Sequence, residues 1–281
     1  MIIDGRKISA DVLEDLKKEF ASLSFKPLFC DVLVGNDVVS MSYVKIKGRS
    51  AEQVGMEFKL AHFSESINQK ELIDKIKKLN QLPNICGLIV QLPLPSKFSK
   101  QAILDAITPE IDVDCIGLVT SKKFYEGDFS LIPPTAAAVM KMLDSLNLDL
   151  FKKNILVVGQ GQLVGKPVSF LFERRGLKIN IADKFTKNTP ELIKQADVII
   201  SATGQPKLIT GDKIKAGSIV IDAGTAESDG GIVGDADLES VSKIAGYFSP
   251  VPGGVGPVTV SMLLKNVLIV AKQKQQQNYV S

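Results

Sequence analysis

An apolar run at 154–158 leads directly into Gly159-Gln-Gly-Gln-Leu-Val-Gly165, and a segment of helical spacing follows at 166–175. Strand, glycine turn and helix in that order are the context a dinucleotide phosphate loop requires. The glycines leave main-chain amides free at a helix N-terminus, where a pyrophosphate is stabilised. The spacing is G-x-G-x-x-x-G, a variant of the usual fingerprint. Beyond it the alternation continues with strand 178–182, helix 191–196, strands 198–201 and 218–222, and a short strand near 244–248. That order predicts a Rossmann-like half built on a mostly parallel sheet. Asp183 ends the second of these strands, where an acid commonly accepts ribose hydroxyls.

A second alternating series precedes this one. Val12, Leu13, Leu16, Phe20 and Leu23 follow helical spacing, and Leu28–Val34 reads as a strand entering the turn Gly35-Asn36-Asp37. Helix 40–54, strand 58–62, helix 69–79 and the short apolar strand 87–90 come next. With 281 residues the chain has the length for two substantial cores. The boundary is expected at a connecting helix, 134–148, because Pro133-Pro134 is a good start and Val139, Met140 and Leu143 share a face. The expected architecture is two α/β domains with an active-site cleft between them. The first covers 1–133 and is joined by the C-terminal segment 258–281; the second, dinucleotide-binding, covers 134–257. A final helix is expected over 258–272, with 273–281 a polar tail that frays.

Composition excludes several function classes. Charged residues at 23% and hydrophobic residues at 45% are those of an ordinary soluble protein. The net charge of +3 is small and scattered, which argues against a nucleic-acid partner. Met1-Ile-Ile-Asp-Gly-Arg6 has an acid and a glycine where a secretory signal needs its apolar core. The apolar stretch 258–271 is interrupted by Lys265 and Asn266 and falls short of the roughly 20 residues of a membrane span. A cytoplasmic protein without membrane attachment is expected. Cys30, Cys86 and Cys115 have neither pairing nor zinc spacing and read as packing residues. His62 is the sole histidine, so a histidine triad or multi-histidine metal site is excluded. Proton transfer, if any, falls to a lysine, tyrosine or carboxylate.

Three segments offer that chemistry. In Ser40-x-x-Tyr43-x-x-x-Lys47, the ring and the amine are four residues apart and share a helix face. This suits a stacked ligand ring beside a proton carrier. Gly87-Leu-Ile-Val-Gln-Leu-Pro-Leu-Pro95 is a buried strand that stops at a glutamine. Gln91 thus lies at the carboxyl end of a strand, where α/β proteins bind ligands, and its amide can orient a neighbour such as Lys47. Asp112-Val-Asp114 supplies two acids, either of which could instead cap a turn. A fourth segment, Pro250-Val-Pro-Gly-Gly-Val-Gly-Pro-Val-Thr259, reads as a rigid, nearly bare loop that neither a helix interior nor a central strand could accommodate. Its glycines let the main chain approach a ligand closely.

Together these segments resemble one family, the bifunctional methylenetetrahydrofolate dehydrogenase/methenyltetrahydrofolate cyclohydrolases of the FolD type, from Met1 to about Lys272. The likeness rests on Val34-Gly35 with Ser40, Tyr43 and Lys47; on Val90-Gln-Leu-Pro-Leu-Pro95; and on Asp112-Val-Asp114. Val164-Gly-Lys-Pro167, Phe185-Thr-Lys-Asn188, Ala202-Thr-Gly-Gln-Pro206 and residues 250–259 complete it. The resemblance implies oxidation of methylenetetrahydrofolate by a nicotinamide cofactor, then hydrolysis of the methenyl product to formyltetrahydrofolate in the same cleft. It makes Lys47 the general acid/base, Tyr43 a stacking partner of the folate, Gln91 the group that holds Lys47, and Asp114 a hydrogen-bonding partner of the pterin. Pro252, Gly253, Gly254, Pro257 and Thr259 would line the folate and nicotinamide. A homodimer without a metal is implied. A carbocation-like methenyl carbon needs an activated water and a base more than it needs a metal.

Departures from the family pattern gather in the cofactor half. The family's G-R-S is Gly159-Gln160-Gly161, its Cys-His is Ala182-Asp183 and its G-I-N is Gly224-Thr225-Ala226. In the folate half, K-D-V-D-G appears as Ile111-Asp-Val-Asp-Cys115, and P-C-T-P-x-G as Pro133-Pro-Thr-Ala-Ala-Ala138. Cofactor contacts are therefore expected from Gly159, Gln160, Gly161, Gly165, Asp183, Lys184 and Thr225. NADP is the family default. Loss of the arginine at 160 and the acid at 183 make NAD a serious competitor, while Lys184 could still reach a 2′-phosphate. Two alternatives stay open: a folate- or nucleotide-binding protein with little turnover, and a cyclohydrolase with an impaired dehydrogenase step.

Overall fold

The structure is a computed structural model that describes residues 1–228 and 231–280. In chain order the elements begin with α1 (Gly5–Ala21), β1 (Leu28–Val34), α2 (Val38–Gln53), β2 (Glu57–Phe63), α3 (Gln69–Leu79) and β3 (Ile85–Val90). Next come α4 (Lys100–Leu104), a 3-10 turn (Pro109–Ile111), α5 (Leu118–Tyr125), α6 (Pro134–Asp144), β4 (Ile155–Val158), α7 (Gly165–Arg174) and β5 (Ile179–Ala182). The remainder is α8 (Thr189–Gln195), β6 (Val198–Ser201), β7 (Ile219–Asp222), β8 (Ala226–Ser228), β9 (Gly231–Val233), α9 (Leu238–Ile244), β10 (Tyr247–Ser249) and α10 (Val255–Val280).

The chain divides into two compact units, one of residues 11–134 and 260–281, the other of residues 1–10 and 135–259. The first contains a three-stranded parallel sheet of order β2-β1-β3. β1 lies in the middle and is buried along its whole length. Phe29, Leu72, Ile76, Leu88 and Leu264 belong to its core. The second unit contains a five-stranded parallel sheet of order β10-β7-β6-β4-β5. Counted from β4, this is the doubly wound order 2-1-3-4-5, whose switch point falls between β4 and β6. The pair β8 and β9 forms a separate antiparallel hairpin.

The N-terminal ten residues group with the five-stranded unit, not with the domain of residues 1–133 expected from the sequence. The Ile3 N–H donates to the Phe248 carbonyl at 2.8 Å, which ties the N-terminus beside β10. Gly5 is needed there, because a Cβ would lie 1.8 Å from the Gly254 carbonyl oxygen.

Two expectations about the C-terminus are corrected. Residues 255–259 are not loop but the first turns of α10, with Pro257 near the helix start, where an absent N–H costs no hydrogen bond. Residues 273–280 continue the helix, and there Gln275 Oε1 accepts from the Ser24 N–H at 2.7 Å while Lys274 donates to the Ile85 carbonyl. By length and apolarity Val255–Gln277 is sufficient for a bilayer span, which the shorter stretch read from the sequence was not. In the fold that apolarity fills a core: Leu263, Leu264, Val267, Leu268 and Ala271 are buried.

Candidate active site

The three-stranded unit places Lys47 through its first βα connection. β1 ends in Gly35, whose φ of +84° is in the left-handed region that glycine adopts without strain. Asp37 then caps α2, accepting from the Ser40 N–H at 2.7 Å. Two turns further along, Lys47 is 7% exposed. Its ammonium donates to Gln91 Oε1 at 2.7 Å. The Gln91 amide is oriented by its own donation to the Leu92 carbonyl at 2.7 Å, so its oxygen is the atom left facing the lysine. Tyr43 lies one helical turn before Lys47, half-buried, and burial pushes its phenol up.

The third group around Lys47 is one that the sequence reading overlooked. Asp31, in the middle of β1, is fully buried, and its Oδ2 lies 2.6 Å from the Lys47 ammonium. Neither of its oxygens has a partner in hydrogen-bond geometry, so the contact with Lys47 is an ion pair and Oδ1 has no partner at all. Burial pushes the Asp31 carboxyl up, and Lys47 works against that shift. A single charged residue inside the otherwise apolar run Leu28–Val34 was the available signal, since a fully buried aspartate is rare unless paired.

Asp112 and Asp114 follow the 3-10 turn. Asp112 Oδ2 accepts from the Gly117 N–H at 2.8 Å, so this acid shapes the loop. Burial, and next to it the Asp112 charge, push Asp114 up to about 6, with Lys47 opposing. Asn266 of α10 steadies the segment by donating to the Val113 and Ile132 carbonyls, each at 2.8 Å. Cys115, where the family pattern has glycine, sits at φ +59°. The three cysteines are buried and unpaired, and burial pushes Cys30 up to about 12 and Cys86 to about 11. His62 Nε2 lies 2.7 Å from the Gly35 carbonyl oxygen.

In the five-stranded unit the predicted cofactor residues gather at the carboxyl ends of β4, β5 and β7, around the switch point. The Gly159 N–H donates to the Ala182 carbonyl at 2.8 Å, so the glycine turn starts beside the residue that precedes Asp183. A Cβ on Gly165 would lie 1.9 Å from the Gly159 carbonyl oxygen, and one on Gly159 would lie 2.4 Å from that of Ala202. These two glycines close the loop on itself and on the segment after β6. Around a Cβ on Gly161, by contrast, nothing lies within 4 Å, which leaves the turn open on that side. The Thr225 carbonyl oxygen approaches within 3.5 Å of the Cβ position of Gly204, which joins the segments after β6 and β7. Thr203 and Gly204 thus lie beside the glycine turn and Thr225, a placement that the sequence reading, which had used them only for family likeness, did not give.

Two of the expected cofactor side chains make hydrogen bonds within the protein. The Gln160 amide donates back to the Gly159 carbonyl at 3.0 Å and to Ser169 Oγ at 3.1 Å, so it braces the loop. Asp183 Oδ1 accepts from the Phe185 N–H at 2.9 Å and the Thr186 hydroxyl at 3.1 Å, which fixes the turn after β5. The side chain is nevertheless exposed. The Lys184 ammonium stands 5.0 Å above the Phe185 ring. Pro252, Gly253, Gly254, Pro257 and Thr259 also belong to this unit, whereas Tyr43, Lys47, Gln91 and Asp114 belong to the other. Gly254 is required by internal packing, since its Cβ would be 2.2 Å from Ser249 Oγ. The Pro257 carbonyl accepts from Ser9 Oγ at 2.9 Å, and the Thr259 hydroxyl donates to the Val255 carbonyl at 3.1 Å.

An open glycine turn at a doubly wound switch point, with an acid after the neighbouring strand, fits a dinucleotide. A buried Lys–Gln–Asp cluster at a second sheet fits proton transfer. The two units thus define a dinucleotide-dependent α/β enzyme. Residues 3–114 match the catalytic domain, and residues 133–275 the NAD(P)-binding domain, of tetrahydrofolate dehydrogenase/cyclohydrolase. The chain belongs to that family. It is 38% identical over 278 residues to the bifunctional protein FolD of Staphylococcus aureus (strain JH9), covering 98% of this chain and 97% of the relative. The solved FolD methylenetetrahydrofolate dehydrogenase/cyclohydrolase of Campylobacter jejuni is 35% identical with a TM-score of 0.92, over 98% of this chain and 99% of that one. The Trypanosoma brucei enzyme, solved with NADP and an inhibitor, is 32% identical with a TM-score of 0.92, over 98% of each chain.

Proposed function

We propose that this chain oxidises 5,10-methylenetetrahydrofolate to the methenyl form and then hydrolyses the methenyl form to 10-formyltetrahydrofolate, as a cytoplasmic homodimer. The observation that carries the hydrolytic half is the Lys47 ammonium held between Gln91 Oε1 and Asp31 Oδ2, with Tyr43 on the same helix face. In the hydrolysis, water adds its oxygen to the cationic methenyl carbon and gives up a proton. The C–N5 bond then breaks as N5 gains one, and a single proton is released overall. Lys47 is the proton carrier that serves both transfers. Gln91 positions it, Tyr43 stacks on the folate and Asp114 hydrogen-bonds the pterin.

A nicotinamide dinucleotide supplies the hydride acceptor of the first half-reaction. The backbone of Gly159, Gly161 and Gly165 would hold its pyrophosphate, with Asp183, Lys184 and Thr225 at the rim and Pro252, Gly253, Gly254, Pro257 and Thr259 lining the folate and nicotinamide. NADP is the family default. Gln160 leaves the glycine turn without a cation and Asp183 would repel a 2′-phosphate, which favours NAD as a competing cofactor. The test is the absorbance of methenyltetrahydrofolate followed with and without each oxidised cofactor. Dehydrogenation makes the signal appear, and hydrolysis removes it without any cofactor. The reading fails if supplied methenyltetrahydrofolate persists as long with the protein as in buffer, or if Lys47→Met hydrolyses it at the normal rate.

A further inference from the structure

We propose that Asp31 is the second seat of the proton carried by Lys47, a positioning residue that sets the charge of that lysine during hydrolysis. This rests on the reading of Lys47 as proton carrier. Register supplies the first argument. Asp31 pairs with Leu60 on one side and Ile89 on the other, and paired residues of a parallel sheet point to the same face. Gln91, two residues beyond Ile89, shares that face, so Asp31 and Gln91 approach the lysine from adjacent strands while α2 delivers it from above. The carboxylate is fully buried, neither oxygen has a partner in hydrogen-bond geometry, and Lys47 is its one ion-pair partner among the described residues. Such a group is costly in a purely structural role, since an apolar residue would fill a central strand as well or better.

The chemistry supplies the second. The reacting carbon carries positive charge, and an unpaired ammonium would repel it. Lys47 with Asp31 is neutral as a pair. Within the pair one proton has two seats, Lys–NH3+ with Asp–COO− or Lys–NH2 with Asp–COOH, and burial favours the second more than water would. In that arrangement the amine accepts the proton of the attacking water. It then protonates N5 as the C–N5 bond breaks and takes up the hydroxyl proton as the formyl C=O forms. The pair finally releases one proton to solvent through Lys47, the member of the pair that is partly exposed. One water enters, one proton leaves, and the pair returns to its starting state.

The other charged or titratable groups around the pair are few. Asp114 interacts with both members, Tyr43 is one helical turn from Lys47, Asp112 is held by Gly117, and His62 is held by Gly35. Cys30 and Lys59 are paired across β1 and β2 on the opposite sheet face. Lys45 and Arg49 of α2 are exposed.

The experiment is the pH dependence of cyclohydrolase kcat and KM for wild type, Asp31→Asn and Asp31→Glu, with Lys47→Met as reference. Asp31→Asn is expected to lower kcat about tenfold or more with KM little changed. It also moves the half-maximal pH down by about one unit or more, because the ammonium has lost its counter-charge. Asp31→Glu restores the charge and moves the profile back toward wild type. Superimposable profiles for wild type and Asp31→Asn overturn the proposal while leaving the function reading intact; an active Lys47→Met overturns both. Should the Asp31 variants not fold, wild-type chain labelled at aspartate 13Cγ and lysine 13Cε decides. One carboxyl and one lysine signal are expected to titrate with a common midpoint, and the absence of any shared midpoint overturns the proposal.

Discussion

Lys47→Met does more than delete the proposed proton carrier, because it strands the Asp31 carboxylate where no water reaches it. Removing one partner of a buried pair typically costs about 3–5 kcal/mol. The carboxyl can limit that loss by taking up a proton. Its cost is then that of holding an acid neutral against an unfolded value near 3.9, about 1.36 kcal/mol per pH unit. At pH 7 this is roughly 4 kcal/mol and at pH 5 roughly 1.5 kcal/mol, so the variant recovers about 2.7 kcal/mol on mild acidification. The sign follows from a folded-state value raised above the unfolded one. Stability is fully present below about pH 4 and is lost as pH rises. In the wild type Lys47 opposes the rise, so the same dependence is shallower.

The assay is urea unfolding followed by far-ultraviolet circular dichroism at pH 5, 6, 7 and 8, for wild type, Lys47→Met and the double variant Lys47→Met/Asp31→Asn. The gap between Lys47→Met and wild type should widen steadily with pH. In the double variant the residual loss, an unpartnered buried amide worth about 1–3 kcal/mol, should not vary with pH. A gap that stays constant from pH 5 to pH 8 would refute the reasoning, because it would mean that Asp31 is not the group stranded.

Tyr43→Ala should weaken folate binding by about 0.5–1.5 kcal/mol through loss of ring stacking, measured by calorimetric titration with a folate inhibitor; unchanged affinity returns Tyr43 to a packing role. Gly165→Ala should destabilise the five-stranded unit by about 1–3 kcal/mol, since its methyl meets the Gly159 carbonyl at 1.9 Å, whereas Gly161→Ala should leave thermal stability within about 0.5 kcal/mol and lower dinucleotide affinity. Thermal melts and cofactor titrations of the two variants check this pair. Asp183→Ser should raise the kcat/KM ratio of NADP over NAD; an unchanged ratio shows that Asp183 does not face the ribose.

The strands and long helices were legible because their signals are local. The helix at 69–79 and the strand at 198–201 match α3 and β6, where apolar spacing and flanking polar residues leave little choice. What stayed hidden was decided at a distance. The N-terminal ten residues belong with β10 through contacts made some 245 positions away, and no local pattern could announce this. The short helices α4, α5 and α9 and the hairpin of β8 and β9 were not read from the sequence, because stretches this short show periodicity only when flanked by clear strands, as α8 is by β5 and β6. Residues 255–259 were read as loop because prolines and glycines dominate them. Pro257 is acceptable near a helix start for the same reason it is excluded further in.

The site shows the same division more sharply. Lys47 and Gln91 could be joined in advance because Gln91 ends a strand, where α/β proteins bind ligands and its amide can orient a lysine. Asp31 was passed over because a buried strand is recognised by its apolar run, and a single acid does not break the run. An aspartate in the middle of a central strand must be paired, and the partner must come from the helix that crosses that face. For a parallel sheet this is the helix that follows the strand or one of its neighbours, which here narrows the cations of α2 to Lys45, Lys47 and Arg49. Helical geometry separates them. Lys47 is one turn from Tyr43 and Val44 and one turn from Ala51, of which Val44 and Ala51 are buried, whereas Lys45 and Arg49 are exposed. The buried charge and its partner were therefore both implied once the strand was taken as central, and the pairing connects the buried acid of β1 to the lysine proposed to carry the proton in hydrolysis.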